Sequence, residues 1–526
     1  MKRILISDPL AAEGVQILRD AGFDVVEQAG LSPDALREAL AGCHGLVIRS
    51  GTQVTAEALE GADALQVIGR AGAGVDNVDV QAATRRGIVV MNTPGGNAVS
   101  ACELTLAMML ALARRVPQAC ARVKAGEWPR KEFKGTELHG KCLGIVGLGR
   151  IGSEVARRAL AFGMQVVACD PFVTEERARR LEVRLVELPE LFATSDFITL
   201  HSPKTRDTDR LINADTLATM KDGVFLINCA RGGIVDEAAL ADALRSGKVG
   251  GAALDVFATE PPGDNPLLAF DSVIATPHLG ATTREAQTKV AVQIAQQVAD
   301  YLAGGPPRNA LNTPAVEPEL LEVLGPYIEL AERLGRCVVQ LADGRVERLR
   351  VTYRGEMNEH DVAPLTTALL KGALEPALET PVNYVNAPVL AAERGLVVDA
   401  VQSSDTADFA NLIVVEAVTK HGTRSVSGSL FGRRQLRIVR IDDHHVDVTP
   451  SGHFLITRHI DRPGVIAHVS GLLAELNVNI GGMTCGRDTP GGDALLVIST
   501  DEPVGADLVA AVEESPQVQR AQVISL

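Results

Sequence analysis

The stretch Leu143-Gly-Ile-Val-Gly147-Leu-Gly149-Arg-Ile-Gly152 decides the fold of this chain. A short apolar run leads into three glycines at the G-x-G-x-x-G spacing, and the following residues, Ser153 to Leu160, are typical of a helix. In such a motif the first glycine permits a tight turn, the second lets the backbone approach a pyrophosphate, and the third packs helix against strand. The helix N-terminus then offers free N–H groups to phosphates. The pattern indicates a dinucleotide-binding turn, although glycine-rich turns also serve purely structural ends.

A carboxylate stands where such a site needs one. The next strand-like run, Gln165-Val-Val-Ala-Cys-Asp170, ends in Asp170, 18 residues after Gly152. An acid at this place suits the two hydroxyls of an adenosine ribose and would repel a 2′-phosphate. The sequence therefore predicts NAD, rather than NADP, as the cofactor.

Length and composition narrow the class of protein. A chain of 526 residues is too long for one core, so we expect three or four domains. A net charge of −15 argues against nucleic acid and membrane partners. The run Ile4-Leu-Ile is far shorter than a signal-peptide core. Eight cysteines without a C-x-x-C pair are typical of reduced thiols rather than a disulfide or zinc framework. We expect a cytoplasmic protein.

Strand-like and helical segments alternate ahead of the glycine motif, which predicts a parallel sheet. The strand-like segments there are Ile4–Ser7, Asp24–Val26, Leu46–Ile48, Leu65–Ile68 and Ile88–Met91, and the helical ones are Glu13–Asp20, Pro33–Leu40, Ala56–Glu60 and Asp79–Arg86. A long helix is predicted from Ala98 to Val116. More βα units follow the motif, and a helix from Arg284 to Ala303 is long enough to cross back to the first domain.

The remainder of the chain has a different pattern. Gly304-Gly-Pro-Pro307 marks a linker. From His453 the order strand, helix, strand, strand, helix, strand is that of a ferredoxin-like unit. The fold class is therefore α/β, with two doubly wound parallel-sheet domains, an α+β segment and a ferredoxin-like C-terminal unit.

Three polar side chains follow successive predicted strands of the nucleotide-binding domain, where ligands bind in such folds. Arg231 lies on the turn Asn228-Cys-Ala-Arg-Gly-Gly, where its planar fork can grip a carboxylate. Glu260 precedes a proline, and His278 lies on the turn Thr276-Pro-His-Leu-Gly. Taken singly, Arg231 is typical of a surface arginine, Glu260 of a loop carboxylate and His278 of a partly buried histidine.

Together the three indicate oxidation of a 2-hydroxy acid. A hydride leaves an alcohol carbon only if a base takes the hydroxyl proton, and histidine titrates near the working pH. A neighbouring carboxylate would orient the imidazole and favour its protonated form. An arginine would fix the substrate carboxylate beside the reacting carbon.

These motifs, with Asp255-Val-Phe and Glu260-Pro, resemble in order and spacing the signatures of the D-isomer-specific 2-hydroxyacid dehydrogenase family, in its long form with an intervening and an ACT domain. The resemblance implies a substrate-binding domain of residues 1–97 and 284–312 with a flavodoxin-like fold, and an NAD-binding Rossmann domain of residues 98–283. It further implies an intervening domain of residues 313–450 and a regulatory ACT domain of residues 451–526.

The resemblance also implies roles for individual residues. Arg231 would anchor the carboxylate, His278 would be the general acid/base and Glu260 its partner. The implied NAD contacts are Gly147, Gly149, Arg150, Ile151, Gly152, Asp170, Ser202, Cys229, Ala230, Asp255 and Gly280. The implied substrate contacts are Arg49, Ser50, Gly74, Val75 and Asn97, of which Gly74 and Val75 lie in the turn Gly69-Arg-Ala-Gly-Ala-Gly-Val-Asp-Asn77. Ala73 departs from the family pattern, since many relatives carry a hydroxyl residue there, which puts one hydrogen bond to the cofactor in doubt.

Regulation and assembly are implied in the same way. His459, Asp461 and Asn479 resemble an effector site for an amino acid, L-serine, at an interface between two ACT domains; Asp461-Arg-Pro-Gly464 is also a good strand-to-helix turn. Arg130 and Lys131 resemble a segment that reaches a partner subunit's site, or are a solvated loop. The resemblance implies a homo-oligomer, a dimer of core domains that assembles into a tetramer.

Two clusters of basic side chains, one of arginines and one of histidines, lie in the C-terminal part of the sequence. Arg424, Arg433, Arg434 and Arg437 leave open an anion site or a solvated sheet face. His444, His445 and His453 lack an acidic or cysteine partner, so we predict no metal site.

The reaction implied is NAD-dependent oxidation of 3-phospho-D-glycerate to 3-phosphooxypyruvate, the first step of L-serine biosynthesis, regulated by L-serine. Two alternatives remain. One is another 2-hydroxyacid dehydrogenase or reductase, acting on glyoxylate, hydroxypyruvate or 2-oxoglutarate. The other is a non-enzymatic, NAD-sensing interaction protein.

Overall fold

The computed structural model describes residues 1–314, 318–379, 381–405, 409–432, 434–487 and 489–526. These residues form four β-sheets, and the strands of each sheet are consecutive along the chain. No helix within the described ranges is long and apolar enough to cross a bilayer.

The first lobe is built on a five-stranded parallel sheet. Its strands are β1 (Arg3–Ile6), β2 (Asp24–Glu27), β3 (Gly45–Ile48), β4 (Val67–Arg70) and β5 (Val89–Asn92), and its helices are α1 (Ala12–Asp20), α2 (Pro33–Leu40) and α3 (Val80–Arg85). The strand order is β2-β1-β3-β4-β5, the flavodoxin-like order. All residues of β3 and β5 are buried, as expected of strands covered by helices on both faces.

The second lobe contains a seven-stranded parallel sheet. It begins with α4 (Ala98–Arg114) and α5 (Val116–Lys124) and continues with β6 (Cys142–Val146), α6 (Arg150–Ala161), β7 (Gln165–Cys169), α7 (Glu175–Arg180), β8 (Arg184–Leu185), α8 (Leu188–Thr194), β9 (Phe197–Leu200), α9 (Ala214–Thr219), β10 (Val224–Asn228), α10 (Glu237–Ser246), β11 (Val249–Leu254) and β12 (Val273–Ala275). The order is β12-β11-β10-β9-β6-β7-β8. The strand order reverses between β6 and β9, so the glycine turn that follows β6 lies at the switch point where ligands bind.

The chain then returns to the first lobe through α11 (Arg284–Leu302). A Cβ atom on Gly14 of α1 would lie 2.7 Å from the carbonyl oxygen of Ala291, and one on Gly69 would lie 2.7 Å from Val298. Such close approach is possible only because glycine has no side chain. This packing supports the discontinuous first domain predicted from the sequence, whose limits we retain as a proposal.

Two predicted helices differ from the structure. The helix predicted from Ala98 to Val116 ends at Arg114, because Arg115 adopts a left-handed conformation with φ of 52° and Pro117 lies in the first turn of the next helix. The segment Ala56–Glu60 is a hydrogen-bonded turn rather than a helix. A helix this short gains too few backbone bonds to offset the cost of nucleation.

The third region contains a six-stranded mixed sheet covered by helices. Its elements are α12 (Pro318–Leu341), β13 (Arg348–Gly355), α13 (Ala363–Leu374), α14 (Ala387–Glu393), β14 (Val397–Ser403), β15 (Asn411–Thr419), β16 (Gly422–Phe431), β17 (Gln435–Ile441) and β18 (His444–Val448). The strand order is β14-β13-β15-β16-β17-β18. Only the β13–β14 pair within it is parallel.

The C-terminal region is a four-stranded antiparallel sheet with two helices. It comprises β19 (His453–Ile460), α15 (Val465–Glu475), β20 (Ile480–Arg487), β21 (Asp493–Thr500), α16 (Ala506–Glu513) and β22 (Val518–Ser525), in the order β20-β21-β19-β22. This confirms the predicted ferredoxin-like fold. Phe454, Ile456 and Ile524 belong to the same buried cluster as Tyr353 and Leu369, so the two C-terminal regions share a hydrophobic core.

Arg424, the first arginine of the cluster in the third region, belongs neither to an anion site nor to a solvated sheet face. Arg424 is buried; its Nε lies 2.9 Å from Oδ2 of Asp442, and its Nη1 donates to the Leu341 carbonyl at 3.1 Å. A guanidinium held in this way stabilises the local packing and is not open to an anion. Arg433 lies outside the described residues.

Candidate active site

Glu260 and His278 form a contact pair at the carboxyl ends of adjacent strands. The Nδ1 atom of His278 lies 2.8 Å from Oε2 of Glu260, and Oε1 of Glu260 accepts a hydrogen bond from the Phe257 backbone at 3.1 Å. With both carboxylate oxygens engaged, Glu260 fixes the imidazole plane. When Nδ1 carries the proton shared with Glu260, Nε2 is the basic atom of the ring.

Asp255 holds the turn that presents His278. Its buried carboxylate accepts hydrogen bonds from Thr276 Oγ1 at 2.6 Å, Leu279 N at 2.7 Å and Gly280 N at 2.9 Å. His278 itself has a φ of 55°, in the left-handed region that non-glycine residues adopt rarely. Such conformations persist where the surroundings over-determine them and cluster at functional sites. The bonds to Asp255 supply that constraint. Asp255 was predicted as a cofactor contact, and its observed contacts position the histidine turn.

The Arg231 turn lies beside the histidine turn. Asn228, the last residue of β10, donates from Nδ2 to the Arg231 carbonyl at 3.0 Å and accepts a bond from Ala230 N at 3.0 Å. A Cβ atom on Gly232 would lie only 1.7 Å from the Phe257 carbonyl oxygen. Because no side chain fits at Gly232, this turn packs directly against the segment that carries Glu260.

Arg231 also reaches across the cleft to the first lobe. Its Nε lies 2.9 Å from Oδ2 of Asp76, and a Cβ atom on Gly74 would lie 2.1 Å from its Nη2. Of the predicted substrate contacts, Gly74 and its neighbour Val75 therefore lie beside Arg231. The arginine and the histidine pair follow neighbouring strands of one sheet, β10, β11 and β12.

Arg49 and Ser50 follow β3 in the first lobe. The Arg49 backbone N–H donates to Oδ2 of Asp8 at 2.6 Å, and the Arg49 carbonyl accepts a bond from Asn77 at 2.8 Å, so the backbone of this segment is fixed. Ser50 is exposed. Asn97 precedes α4 and makes no side-chain capping bond to it.

Arg70 is a residue of the cleft that the sequence prediction did not single out. Burial, followed by the positive charge of Arg231, lowers the pKa of Arg70 to about 10. Its Nε is buried and has no hydrogen-bond partner within the described ranges. Arg49, Arg70 and Arg231 thus bring three guanidinium groups to one region, balanced by Asp8 and Asp76. The strand was predicted to end at Ile68 but reaches Arg70; a correct boundary would have placed this charge at a strand end.

The glycine turn meets the requirements of a dinucleotide. Gly147 has a φ of 93°, and a Cβ atom there would lie 2.7 Å from the His201 carbonyl oxygen. A Cβ atom on Gly152 would lie 2.1 Å from the Gly147 carbonyl oxygen, whereas one on Gly149 would meet nothing within 4 Å. The outer two glycines are therefore required by packing, and the middle one leaves open space where a pyrophosphate would lie. Helix α6 begins at Arg150, directly after this space.

Further groups around the turn agree with bound NAD. Oδ2 of Asp170 accepts a bond from Leu148 N at 2.8 Å, which ties this acid to the glycine turn. Ser202 Oγ is buried and lacks a hydrogen-bond partner in the part of the chain that the structure describes, so a cofactor could satisfy it. NAD, when bound, would supply the nicotinamide that accepts a hydride.

The other predicted cofactor residues differ in exposure. Arg150 is exposed, and a Cβ atom on Gly95 would lie 2.9 Å from its Cδ, while Ile151 packs partly on the core. Cys229 and Ala230 are buried. Burial raises the pKa of the Cys229 thiol to about 12, and its Sγ lies 3.6 Å from Met108 Sδ. This thiol therefore stays neutral in the core.

The predicted effector residues do not meet within one chain. His459 is buried. Asp461 Oδ2 accepts bonds from Arg487 at 2.8 Å and Gly491 N at 3.1 Å, and Asn479 donates to Asp501 at 2.7 Å. In the sheet register, Asp461 follows the His459 end of β19, whereas Asn479 precedes the strand end that is level with His453. The two groups lie at opposite ends of the sheet, so a single small molecule cannot bridge them within a chain.

The described residues contain no group of three or more histidine, cysteine, aspartate or glutamate side chains arranged to hold a metal ion.

Comparison with known proteins gives the family. The family model of the D-isomer specific 2-hydroxyacid dehydrogenase NAD-binding domain matches residues 106–280, that of the D-3-phosphoglycerate dehydrogenase intervening domain matches 323–442, and that of the ACT domain matches 453–517. The NAD-binding match confirms the predicted cofactor.

Individual proteins resemble the chain over its whole length. D-3-phosphoglycerate dehydrogenase of Synechocystis sp. is 45% identical, with 100% of this chain and 95% of that protein covered. The protein of the same name from Methanocaldococcus jannaschii is 43% identical, with both chains covered completely. A crystal structure of D-lactate dehydrogenase from Aquifex aeolicus, in complex with NAD and lactic acid, matches with a TM-score of 0.52 and 30% identity over 58% of this chain and 96% of that one. The chain therefore belongs to the D-3-phosphoglycerate dehydrogenases, within the D-isomer-specific 2-hydroxyacid dehydrogenase family.

Proposed function

We propose that this enzyme oxidises 3-phospho-D-glycerate to 3-phosphooxypyruvate with NAD, the first step of L-serine biosynthesis. One observation carries the proposal: the Glu260–His278 pair and Arg231 follow neighbouring strands beside the dinucleotide turn. The names of the full-length relatives support the same substrate.

The chemistry follows from the contacts of these side chains. Arg231 binds the C1 carboxylate and so places C2 against the cofactor site. His278 removes the C2 hydroxyl proton at Nε2, while Glu260 holds Nδ1 and stabilises the imidazolium that results. Asp255 keeps the histidine turn in place while the proton is on the ring.

The cleft suits a substrate with two anionic ends. A carboxylate needs one guanidinium, and the structure brings Arg49 and Arg70 close to Arg231. We assign Arg49 and Arg70 to the phosphate. The positive charge of these arginines favours the phosphorylated substrate over the alternatives glyoxylate, hydroxypyruvate and 2-oxoglutarate. The Glu260–His278 pair, which is suited to proton transfer, argues against a non-enzymatic role.

The test compares 3-phospho-D-glycerate with D-glycerate in the presence of NAD. Each charge-assisted hydrogen bond contributes about 1.5–3 kcal/mol, so losing two phosphate contacts should lower kcat/KM by about 10²–10⁴. Similar kcat/KM values for the two substrates would refute the assignment. NADH formation with either substrate would exclude a purely non-enzymatic role.

We propose that L-serine binds between the C-terminal domains of two chains. Asp461 of one chain and Asn479 of another could meet when two sheets pair in opposite directions, which would overcome their separation within a chain. Their ammonium- and carboxylate-binding chemistry suits an amino acid. Because His459 is buried, its contribution would be indirect or would require local opening.

We further propose that the enzyme is a homo-oligomer, assembled through the second lobe and also through the C-terminal domains as a tetramer. Helices α4 and α5 line an apolar groove of about 920 Å³ that includes Leu110, Val116 and Val123. Trp128, beside Arg130 and Lys131, is 82% exposed. A second copy that covers this face would bring the basic pair toward its partner's cleft.

We propose the cytoplasm as the location. All eight cysteines carry free thiols, as a reducing compartment would maintain them.

A further inference from the structure

The guanidinium of Arg231 pairs with a carboxylate of the protein itself, that of Asp76. Asp76 of the first lobe lies with Oδ2 2.9 Å from Nε of Arg231 in the second lobe. The side chain of Asp76 is 69% exposed, so neither burial nor packing forces it into this position. The ion pair connects the two lobes directly beside the candidate catalytic groups.

The atoms used in this contact matter for substrate binding. A carboxylate is gripped by two parallel N–H groups of a guanidinium, either Nε with Nη2 or Nη1 with Nη2. In Arg231 the Nη1 atom donates to the Ala230 carbonyl at 2.7 Å. The edge formed by Nε and Nη2 is therefore the one that can bind a carboxylate without disturbing that bond. Asp76 takes this edge at Nε.

The surrounding charges explain why an acid is tolerated there. Arg49, Arg70 and Arg231 lie near one another, and Asp76 is a counter-charge for both Arg70 and Arg231. In a cleft without substrate, repulsion between these cations would be larger if Asp76 were absent. When an anionic substrate enters, the same counter-charge becomes a competitor.

From these contacts we infer that Asp76 is an internal competitor of the substrate carboxylate: it occupies Arg231 in the empty cleft and is displaced when a carboxylate binds. Asp76 is thus a specificity-determining residue that sets how strongly a ligand must bind to engage Arg231. The inference rests on the assignment of Arg231 as carboxylate anchor under the proposed function.

The variant Asp76→Asn keeps the size of the side chain and removes its charge. Exposed ion pairs contribute little, about 0.2–1 kcal/mol, so we expect affinity for a carboxylate to rise roughly 1.4- to 5-fold. The experiment titrates the full-length enzyme–NADH complex with oxalate and, separately, with inorganic phosphate, by calorimetry. Oxalate has no phosphate and reports on Arg231, whereas inorganic phosphate reports on the general field of the cleft. Asp63→Asn, which removes another exposed aspartate of the same lobe, is the matched control.

Tighter oxalate binding by Asp76→Asn, with a smaller rise in phosphate affinity and Asp63→Asn like wild type, supports the inference. In steady-state assays the same variant should then lower KM for 3-phospho-D-glycerate by a larger factor than it changes kcat. Three results would overturn it: an equal rise for oxalate and phosphate, no change in oxalate binding, or weaker oxalate binding. The last would make Asp76 a support for the productive position of Arg231.

Failure of the proposed function would give a different result. In that case wild-type enzyme would form no NADH from 3-phospho-D-glycerate, while oxalate titration of the two variants would still report on Asp76.

Discussion

Oε2 of Glu260 lies 2.8 Å from Nδ1 of His278, and the second carboxylate oxygen is held by the Phe257 backbone N–H. Because Nδ1 is bound to Glu260, the other ring nitrogen, Nε2, is the atom that accepts the substrate proton. Replacing His278 by alanine should lower kcat by about 10²–10⁴, because a positioned base contributes that much to proton transfer. Stopped-flow measurement of NADH formation checks this. NADH titration by fluorescence should be unchanged, and kcat near the wild-type value would remove His278 from the mechanism.

Glu260→Gln should have a smaller effect. Glutamine retains an acceptor oxygen for Nδ1–H but loses the charge that stabilises the imidazolium formed on proton transfer, so kcat should fall by less than for His278→Ala. Stopped-flow measurement of NADH formation at one pH compares Glu260→Gln with His278→Ala and wild type. A kcat equal to that of wild type would show that the carboxylate charge is not used.

Asp170 should decide between the two dinucleotides. Asp170→Ala removes the acceptor for the ribose hydroxyls and the repulsion of a 2′-phosphate, so kcat/KM for NAD should fall about 10- to 100-fold while that for NADP rises. The ratio of the two kcat/KM values measures the change. Because Oδ2 also accepts from Leu148 N, the melting temperature of the variant serves as a control for damage to the turn.

The glycine turn offers a matched pair of variants. Gly152→Ala places a Cβ atom 2.1 Å from the Gly147 carbonyl oxygen and should destabilise the fold by about 1–3 kcal/mol. Gly149→Ala points into open space and should leave the melting temperature near that of wild type while weakening NAD binding at least tenfold. Calorimetric unfolding and NADH titration separate the two effects. A stable, fully NAD-binding Gly149→Ala enzyme would argue against a pyrophosphate at this place.

His201 should make stability depend on pH. Burial lowers the pKa of His201 from its ordinary value of 6.5 to about 4. The unfolded chain therefore binds a proton between pH 6.5 and 4 that the folded protein excludes, and stability falls as pH decreases through this window. The full loss amounts to about 3 kcal/mol. Urea unfolding at pH 7.5 and 5 should show a larger loss for wild type than for His201→Gln; equal losses would contradict the assignment.

The apolar groove on α4 and α5 should control assembly. Leu110→Glu with Val123→Glu places two charges on the face that we assign to a second copy, and light scattering should then detect smaller particles than for wild type. Val401→Glu, at another exposed apolar position, in the third region, should leave the particle mass unchanged. An unaltered mass for the double variant would exclude this face as an interface.

Much of the site could be predicted because its residues follow strands that the sequence marks clearly. Arg231, Glu260 and His278 each come after a short apolar run, and parallel strands end at one edge of a sheet. Arg70 lies in the turn predicted to contact substrate, but it was not singled out because the strand boundary was set two residues early. The contact between Asp76 and Arg231 depends on how two lobes face each other, which no local pattern encodes. In the same way, the separation of Asp461 from Asn479 follows from sheet register rather than from their spacing along the chain.

The return of α11 to the first lobe has a mechanical consequence. The second lobe is an insertion, joined to the first by two backbone connections, at 93–97 and 280–283, and the first of these touches α11 while Gly280 lies near Ala101 of α4. One connection would let the lobes swivel freely. Two adjacent connections form a hinge that permits the lobes to bend toward each other and resists their twisting relative to each other. A hinge motion about these two connections would therefore return Arg231 to the same neighbours, Gly74 and Asp76, each time the cleft closed.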